Sequence, residues 1–416
     1  MQPFLTAHAT HPQASLALAL AAAQIEAQRA ARSTPFEPTL GLIYFSDRYA
    51  DQAEGLLADL QLRWPGVAWA GSAGIGVIAG GVEYFGDPAL VLMLCDVPAA
   101  QFSVFNGRKP LQATPGARAF SALVHADPST PDLAELIAEL SARTESSYLF
   151  GGVASARSGA ARSPHIADGV FDGGLSGIAF SAGVSLISRV TQGSQPVGPT
   201  RHITACERNL VLQLDGQPAL QVLLDDLSLS LDRPQQALAG LRQTLVGLTD
   251  GNASALARGG NFGTDTRVRH IIGIDPGRQA VAIADVAEVG QQLAFCHRDV
   301  EAARRDLRRI CTEIRDQVEA EADERAVVSA SHRAAGAPAA PATTPATTPA
   351  ASRIAGALYV SCSGRGGPHF GGPSAEAQIV QHALGDVPLI GFFAAGEIAR
   401  HHLYGYTGVL TVFVGA

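Results

Sequence analysis

The sequence predicts a mixed α/β (α+β) protein: repeated βαββ units form mixed sheets with helices packed on them, and the chain holds two domains. Three observations predict this. An apolar strand, a helical stripe and two more apolar runs follow one another three times, and self-similarity on that scale sets architecture before any single motif does. Each copy also closes alike, with an aromatic residue and a glycine leading into an apolar strand: Phe85-Gly86, Phe171-Asp172-Gly173 and Tyr404-Gly405. Finally, an Ala/Pro/Thr stretch over residues 334–351, with Pro338, Pro341, Pro345 and Pro349, sets the third copy apart.

Residues 1–36 read as a leading helix and lead-in, ended by Ser33-Thr34-Pro35. The first unit spans about 39–95: a strand ending in Ser46-Asp47, a helix over 50–64, then Val67-Ala68-Trp69-Ala70 into the break Gly71-Ser72. The second spans about 118–180, with His125-Ala126-Asp127, a helix over 130–143, and Tyr148-Leu149-Phe150 into the break Gly151-Gly152. A Gly/Pro-rich connector follows, and Asp215-Gly216 marks a hairpin turn. Next come a helix over 234–248, two strands about the turn Asp275-Pro276-Gly277-Arg278, and a long charged helix over 300–328. The Ala/Pro/Thr composition cannot bury enough apolar surface to offset ordering entropy, so 329–353 is expected to be a disordered linker. In the third unit, Ala357-Leu358-Tyr359-Val360 breaks into Ser361-Cys362-Ser363-Gly364-Arg365-Gly366-Gly367. A helix over 374–384 carries Ile379, Val380, Ala383 and Leu384 as its apolar stripe. A second run over 387–393 breaks into Ala394-Ala395-Gly396-Glu397, and Val409-Leu410-Thr411-Val412-Phe413 closes the chain. The domains are assigned as 37–222 and 223–416.

A chain of 416 residues with 47% apolar and 16% charged residues can build two or three full cores. The net charge of −8 argues against a nucleic-acid partner. The one basic cluster, Arg304, Arg305, Arg308 and Arg309, is interleaved with acids on a helix and reads as a solvated face. Five scattered cysteines without a CxxC fit a reducing compartment. Residues 14–23 lack a preceding Lys or Arg and run on into a polar helix, so no export signal is assigned. No run is apolar enough for membrane insertion, and the expected location is cytoplasmic.

The residues from Ser361 to Gly366, followed by Pro388-Leu389-Ile390-Gly391-Phe392-Phe393 and Gly396-Glu397-Ile398, resemble the C-terminal signature of the FIST family. Residues 193–198, 211–216 and Pro218-Ala219-Leu220 resemble the segment closing the FIST N-terminal domain, and Gly71-Ser72 and Gly151-Gly152 its glycine breaks. The resemblance covers about 37–413; the Ala/Pro/Thr stretch departs from it as an insertion. It implies an intracellular sensory module for small ligands such as amino acids, signalling through a separate partner. Some relatives are haem-binding nitric-oxide sensors that regulate histidine kinases, which leaves haem open here.

Cys362 lies where a strand gives way to glycines before a helix. It reads equally as a thiol favoured as thiolate by helix amides or as a small buried residue. Arg365, flanked by Gly364 and Gly366, could grip a carboxylate in bidentate fashion, or pair with Glu397. The strand ends carrying Cys362, Ser363, Gly364, Arg365, Gly391, Gly396 and Glu397 are therefore expected to meet Gly71, Ser72 and Gly152 around one ligand pocket. An enzyme is not expected: Ser361 or Cys362 with His369 and Asp386 makes a nucleophile trio, but no G-x-S-x-G elbow supports it. Adjacent His401-His402 are poor geometry for one metal ion, and no metal site is assigned. A scaffold for protein docking, without a small ligand, is the competing reading.

Overall fold

The computed structural model describes residues 3–112, 119–159, 161–249, 266–334 and 354–415. The helix expected at the start is a strand and then a helix, β1 (Leu5–Thr10) and α1 (Ala14–Ala30). Leu5, Ala7 and Ala9 point inward in alternation, a period-two pattern that only a strand satisfies. Repeat one comprises β2 (Leu40–Ser46), a short turn of 3-10 helix (Asp47–Gln52), α2 (Ala53–Arg63) and β3 (Ala68–Gly74). It continues with the hairpin β4 (Val77–Ala79) and β5 (Val82–Tyr84), and β6 (Ala89–Cys95). After β7 (Phe102–Phe105), repeat two comprises β8 (Ser121–Ala126), α3 (Leu133–Ala142) and β9 (Tyr148–Val153). Its hairpin is β10 (His165–Ala167) and β11 (Val170–Phe171), and its last strand is β12 (Leu175–Phe180). Strand β13 (Leu186–Gln192) comes next.

Residues 191–307 with 404–407 form a compact unit of their own. Its strands are β14 (Ser194–Pro196), β15 (Arg201–Glu207), β16 (Leu210–Leu214) and β17 (Gln217–Pro218), then β18 (Thr244–Thr249), β19 (Arg267–Asp275), β20 (Ala280–Ile283) and β21 (Gln292–Arg298). Two helices lie between, α4 (Ala219–Asp226) and α5 (Pro234–Gln243). Pairing of β21 with β18 closes the antiparallel ladder on itself, with Leu220, Val222 and Leu223 of α4 in the core. The helix expected over 234–248 stops at Gln243, because Thr-Leu-Val-Gly-Leu-Thr is taken into the sheet as β18.

Helix α6 (Val300–Ala334) precedes repeat three; the linker expected over 329–353 falls largely outside the described residues. Repeat three comprises β22 (Ile354–Cys362), α7 (Ala375–Leu384), β23 (Leu389–Ala394), the hairpin β24 (Gly396–Arg400) and β25 (His402–Tyr404), and β26 (Thr407–Val414). Repeat three, apart from residues 404–407, lies within the other compact unit, residues 1–190, 308–403 and 408–416. Repeats one, two and three thus fall almost wholly in one compact unit, and the expected boundary at 222 lies inside the other.

The three repeats form three six-stranded sheets with one strand order. In each, the first strand runs parallel to the crossing strand (β2 with β3, β8 with β9, β22 with β23) and antiparallel to the last. Each inner hairpin joins the sheet of a different repeat: β4 pairs with β23, β10 with β3, and β24 with β9. The exchange therefore closes a ring of three. These hairpins turn the expected βαββ order into a longer one. Their strands are too short for alternation to show.

Gly71, Gly151 and Gly391 occupy the same register in the three sheets, opposite Ile43, Val124 and Tyr359. A Cβ at these glycines would lie 1.7, 2.0 and 1.8 Å from the carbonyl oxygen of that partner. The expected breaks at Gly71-Ser72 and Gly151-Gly152 are corrected on that ground: the glycines sit inside continuous strands. Gly396-Glu397, expected as a break, likewise lies within β24.

Candidate functional site

Parallel strands carry their ligand sites beyond their carboxyl ends, and here the repeats converge at those ends. The Phe393 amide bonds Gly76 O at 3.0 Å, the Ser155 amide Ala73 O at 3.3 Å, and the Ala395 amide Val153 O at 3.0 Å. The repeats differ in the segment after the crossing strand. Residues 75–76 separate β3 from β4 and Ala395 alone separates β23 from β24, but 154–164 separate β9 from β10. Residues 154–159 and 161–163 of that longer connection wall a cavity of about 660 Å³. Asp127, Ser129, Ser155, Arg157, Arg162, Ser163, Asp172 and Ser363 are among its lining.

Most of these polar groups are held by partners. Ser155 donates its hydroxyl to Phe393 O and accepts the Ile75 amide, at 2.9 Å in the second bond. Asp127 accepts the Ser129 amide and hydroxyl at 2.7 and 2.6 Å and the Gly173 amide at 2.9 Å. Burial alone would raise its pKa; the Ser129 and Gly173 bonds outweigh that and hold the carboxyl below its ordinary value. Arg157 pairs with Asp47 and donates to Ile75 O and Phe85 O at 2.7 and 2.8 Å. Arg162 lies between Glu54 at 2.9 Å and Asp172 at 2.8 Å. These last three side chains are 34, 59 and 52% exposed, so each ion pair contributes at most about 1 kcal/mol.

The expected site residues separate into three groups. Ser363 reaches the cavity. Arg365 does not: it is 1% exposed, and its Nε donates to Glu376 Oε1 at 3.1 Å over the ring of Phe370. Tyr359 and Ser361 donate to the same carboxylate at 2.6 and 2.9 Å. Glu397, also buried, raises the Arg365 pKa through its charge but is not the partner in that bond. Gly364 lies in the turn closed by the Arg365 amide on Cys362 O, and Cys362 is buried at the end of β22. The third group is packing: Ser72, buried in β3, donates to Ala73 O; Gly396 pairs with Val153; and a Cβ at Gly152 would lie 2.7 Å from Val360 Cγ1. Ser361, drawn with His369 and Asp386 as a nucleophile, spends its hydroxyl on Glu376. Residues 154–164 went unassigned in the sequence, although their length relative to the other repeats signals them.

Comparison with protein families matches the FIST N domain over residues 39–217 and the FIST C domain over 219–400. The chain belongs to the FIST family. The junction between the two FIST matches falls between β17 and α4. Similar proteins include an uncharacterized protein of Mycobacterium tuberculosis, 30% identical over 391 residues and 91% of each chain. Another, from Mycobacterium bovis, is 29% identical over 419 residues and 97% of each chain. FIST domains are associated with sensory signal transduction. Among the described residues, no helix is long and apolar enough to cross a membrane. Haem, bound by some FIST proteins, needs an axial His, Cys, Met or Tyr. The cavity lining contains none of these and does not fit it.

Deeper in the same unit, a buried polar pair joins two repeats. His125 Nε2 meets Tyr44 Oη at 3.0 Å, with Phe392 stacked on the tyrosine. Burial, and then the nearby His165, push His125 down to about 3 from 6.5. The unfolded chain therefore takes up this proton near pH 6.5 and the folded protein only near pH 3. Stability is therefore fully present above 6.5 and is lost as pH falls between the two values, by roughly 5 kcal/mol at about 1.4 kcal/mol per unit. Urea titrations between pH 7 and 4 are expected to show the His125→Asn variant losing less stability than the parent protein. Parallel curves for the two would remove His125 as the source.

Proposed function

We propose that this FIST protein is a sensor. It binds a small polar ligand, amino-acid-like or a small acid, in the cavity walled by residues 154–159 and 161–163, and signals through a separate partner such as a histidine kinase. The observation that carries the reading is the lone extended connection. It departs from the pattern of the other two repeats only where it encloses space, and binding residues concentrate on loops held by a rigid scaffold. Two guanidinium groups, two carboxylates and several hydroxyls converge there on a volume suited to a small molecule. Arg157 and Arg162 suit a ligand carboxylate; Asp127 and Asp172 suit an amine.

Thermal-shift screening against amino acids and small mono- and dicarboxylates tests this. A ligand at a hundred times its Kd is expected to stabilise the protein by about 2.7 kcal/mol. Arg162→Gln should remove most of that response while leaving the melting of the unliganded protein within a degree or two. Shifts that persist in both Arg162→Gln and Arg157→Gln would move the site elsewhere.

A further inference from the structure

We infer that the extended connection of repeat two is a strap with one fixed end at Arg157 and one releasable end at Arg162. The strap itself goes beyond the ligand reading; only its release by a bound carboxylate rests on that reading.

The two ends are anchored differently. At Arg157, the backbone amide bonds Asp47 Oδ2 at 2.8 Å, the guanidinium pairs with the other oxygen, and Nη2 reaches Ile75 O and Phe85 O. Asp47 is only 7% exposed, so this end is both multiply bonded and shielded. At Arg162 the bonds run only to Glu54 and Asp172, carboxylates open to solvent on both sides. The two guanidinium groups are about equally exposed, at 37 and 34%, so the difference lies in their carboxylates, and water and salt screen the open pair more than the shielded one.

The strap also links separate elements. Asp47 and Glu54 flank the turn that leads into α2, whereas Asp172 precedes the turn of Gly173 and Gly174. Both glycines have positive φ, and a side chain at either would meet nothing within 4 Å. The turn itself is held by the Gly173 amide on Asp127 and the Gly174 amide on Thr130, both at 2.9 Å, so letting go at Asp172 frees the strap and not the turn. A carboxylate entering the cavity can take one of the two guanidinium faces that Glu54 and Asp172 now hold, since both partners present the same planar fork. Release at Arg162 would free Glu54 on α2, and so carry occupancy of the cavity to the outer surface of repeat one.

Limited trypsin digestion of the full chain decides the matter, since trypsin cuts after arginine. The Glu54→Gln/Asp172→Asn double variant is expected to be cut after Arg162 at least tenfold faster than the parent, with the bond after Arg157 still protected. Asp47→Asn should expose both bonds. Hydrogen exchange of residues 161–163 should rise tenfold in the double variant, with β9 and β10 unchanged. Cleavage after Arg162 within twofold of the parent, or release of Arg157 together with it in the double variant, would overturn the strap. Succinate added to the parent protein reports separately on the ligand: a strap that the substitutions open and succinate does not leaves the latch standing and counts against a small acid.

Discussion

Alanine at Gly391 is expected to leave little or no folded protein. The added Cβ would lie 1.8 Å from Tyr359 O and 2.8 Å from its carbonyl carbon. Both are backbone atoms in the middle of the β22–β23 ladder, so neither can rotate away as a side chain would. Relief requires the two strands to separate, which breaks the pairing from Ala357 to Cys362. The cost should exceed the roughly 1 to 3 kcal/mol of ordinary overpacking. Gly71→Ala and Gly151→Ala should behave alike, Gly151 more so because its φ is +137°. Gly55→Ala is the control: it lies on an exposed position of α2 with nothing within 4 Å, and should stabilise by about 0.5 to 1 kcal/mol. Soluble yield and thermal unfolding by circular dichroism measure the contrast. A Gly391→Ala protein that melts like the parent would show that the two strands do not share this register.

Glu376→Gln should be the next most damaging change, at about 3 to 5 kcal/mol. The carboxylate accepts from Tyr359, Ser361 and Arg365 with all four side chains buried. Removing its charge leaves the guanidinium of Arg365 buried without its bonded counter-ion, and that strands a charge rather than merely deleting a contact. The charge of Glu397 also favours the Arg365 guanidinium and offsets part of the loss. Replacing both partners, Arg365→Met with Glu376→Leu, should recover most of it, because the stranded charge then disappears. Urea midpoints at constant slope give the three values. Equal destabilisation by the single and double replacements would mean that packing, and not charge, sets the importance of the pair.

The repeats were legible in the sequence because their outer strands are long runs such as Leu40–Ser46 and Thr407–Val414, every residue of which is buried. The hairpins were not. Val77–Ala79 and Val170–Phe171 are too short to carry a period, and their partners lie far away in the chain. Glycines misled in an instructive way: Gly71 and Gly391 look like loop punctuation, yet each is demanded by a carbonyl on the neighbouring strand, which no local pattern reveals. The same limit governs the site. Arg365 was recognisable as special from its flanking glycines, but its partner Glu376 stands on α7 and could not be chosen over Glu397 by spacing. Ser363 follows the end of β22 and lines the hollow, while Asp127 and Arg157 reach it from repeat two and share no motif with it.

The ring of exchanged hairpins constrains how the molecule can be made. During synthesis β9 must wait for β24, and β4 must wait for β23, so two sheet edges stay bare until nearly four hundred residues have left the ribosome. Such distant pairings make folding slow, and bare edges invite aggregation. Producing this protein at low temperature or with chaperones should therefore help yield more than raising its final stability does.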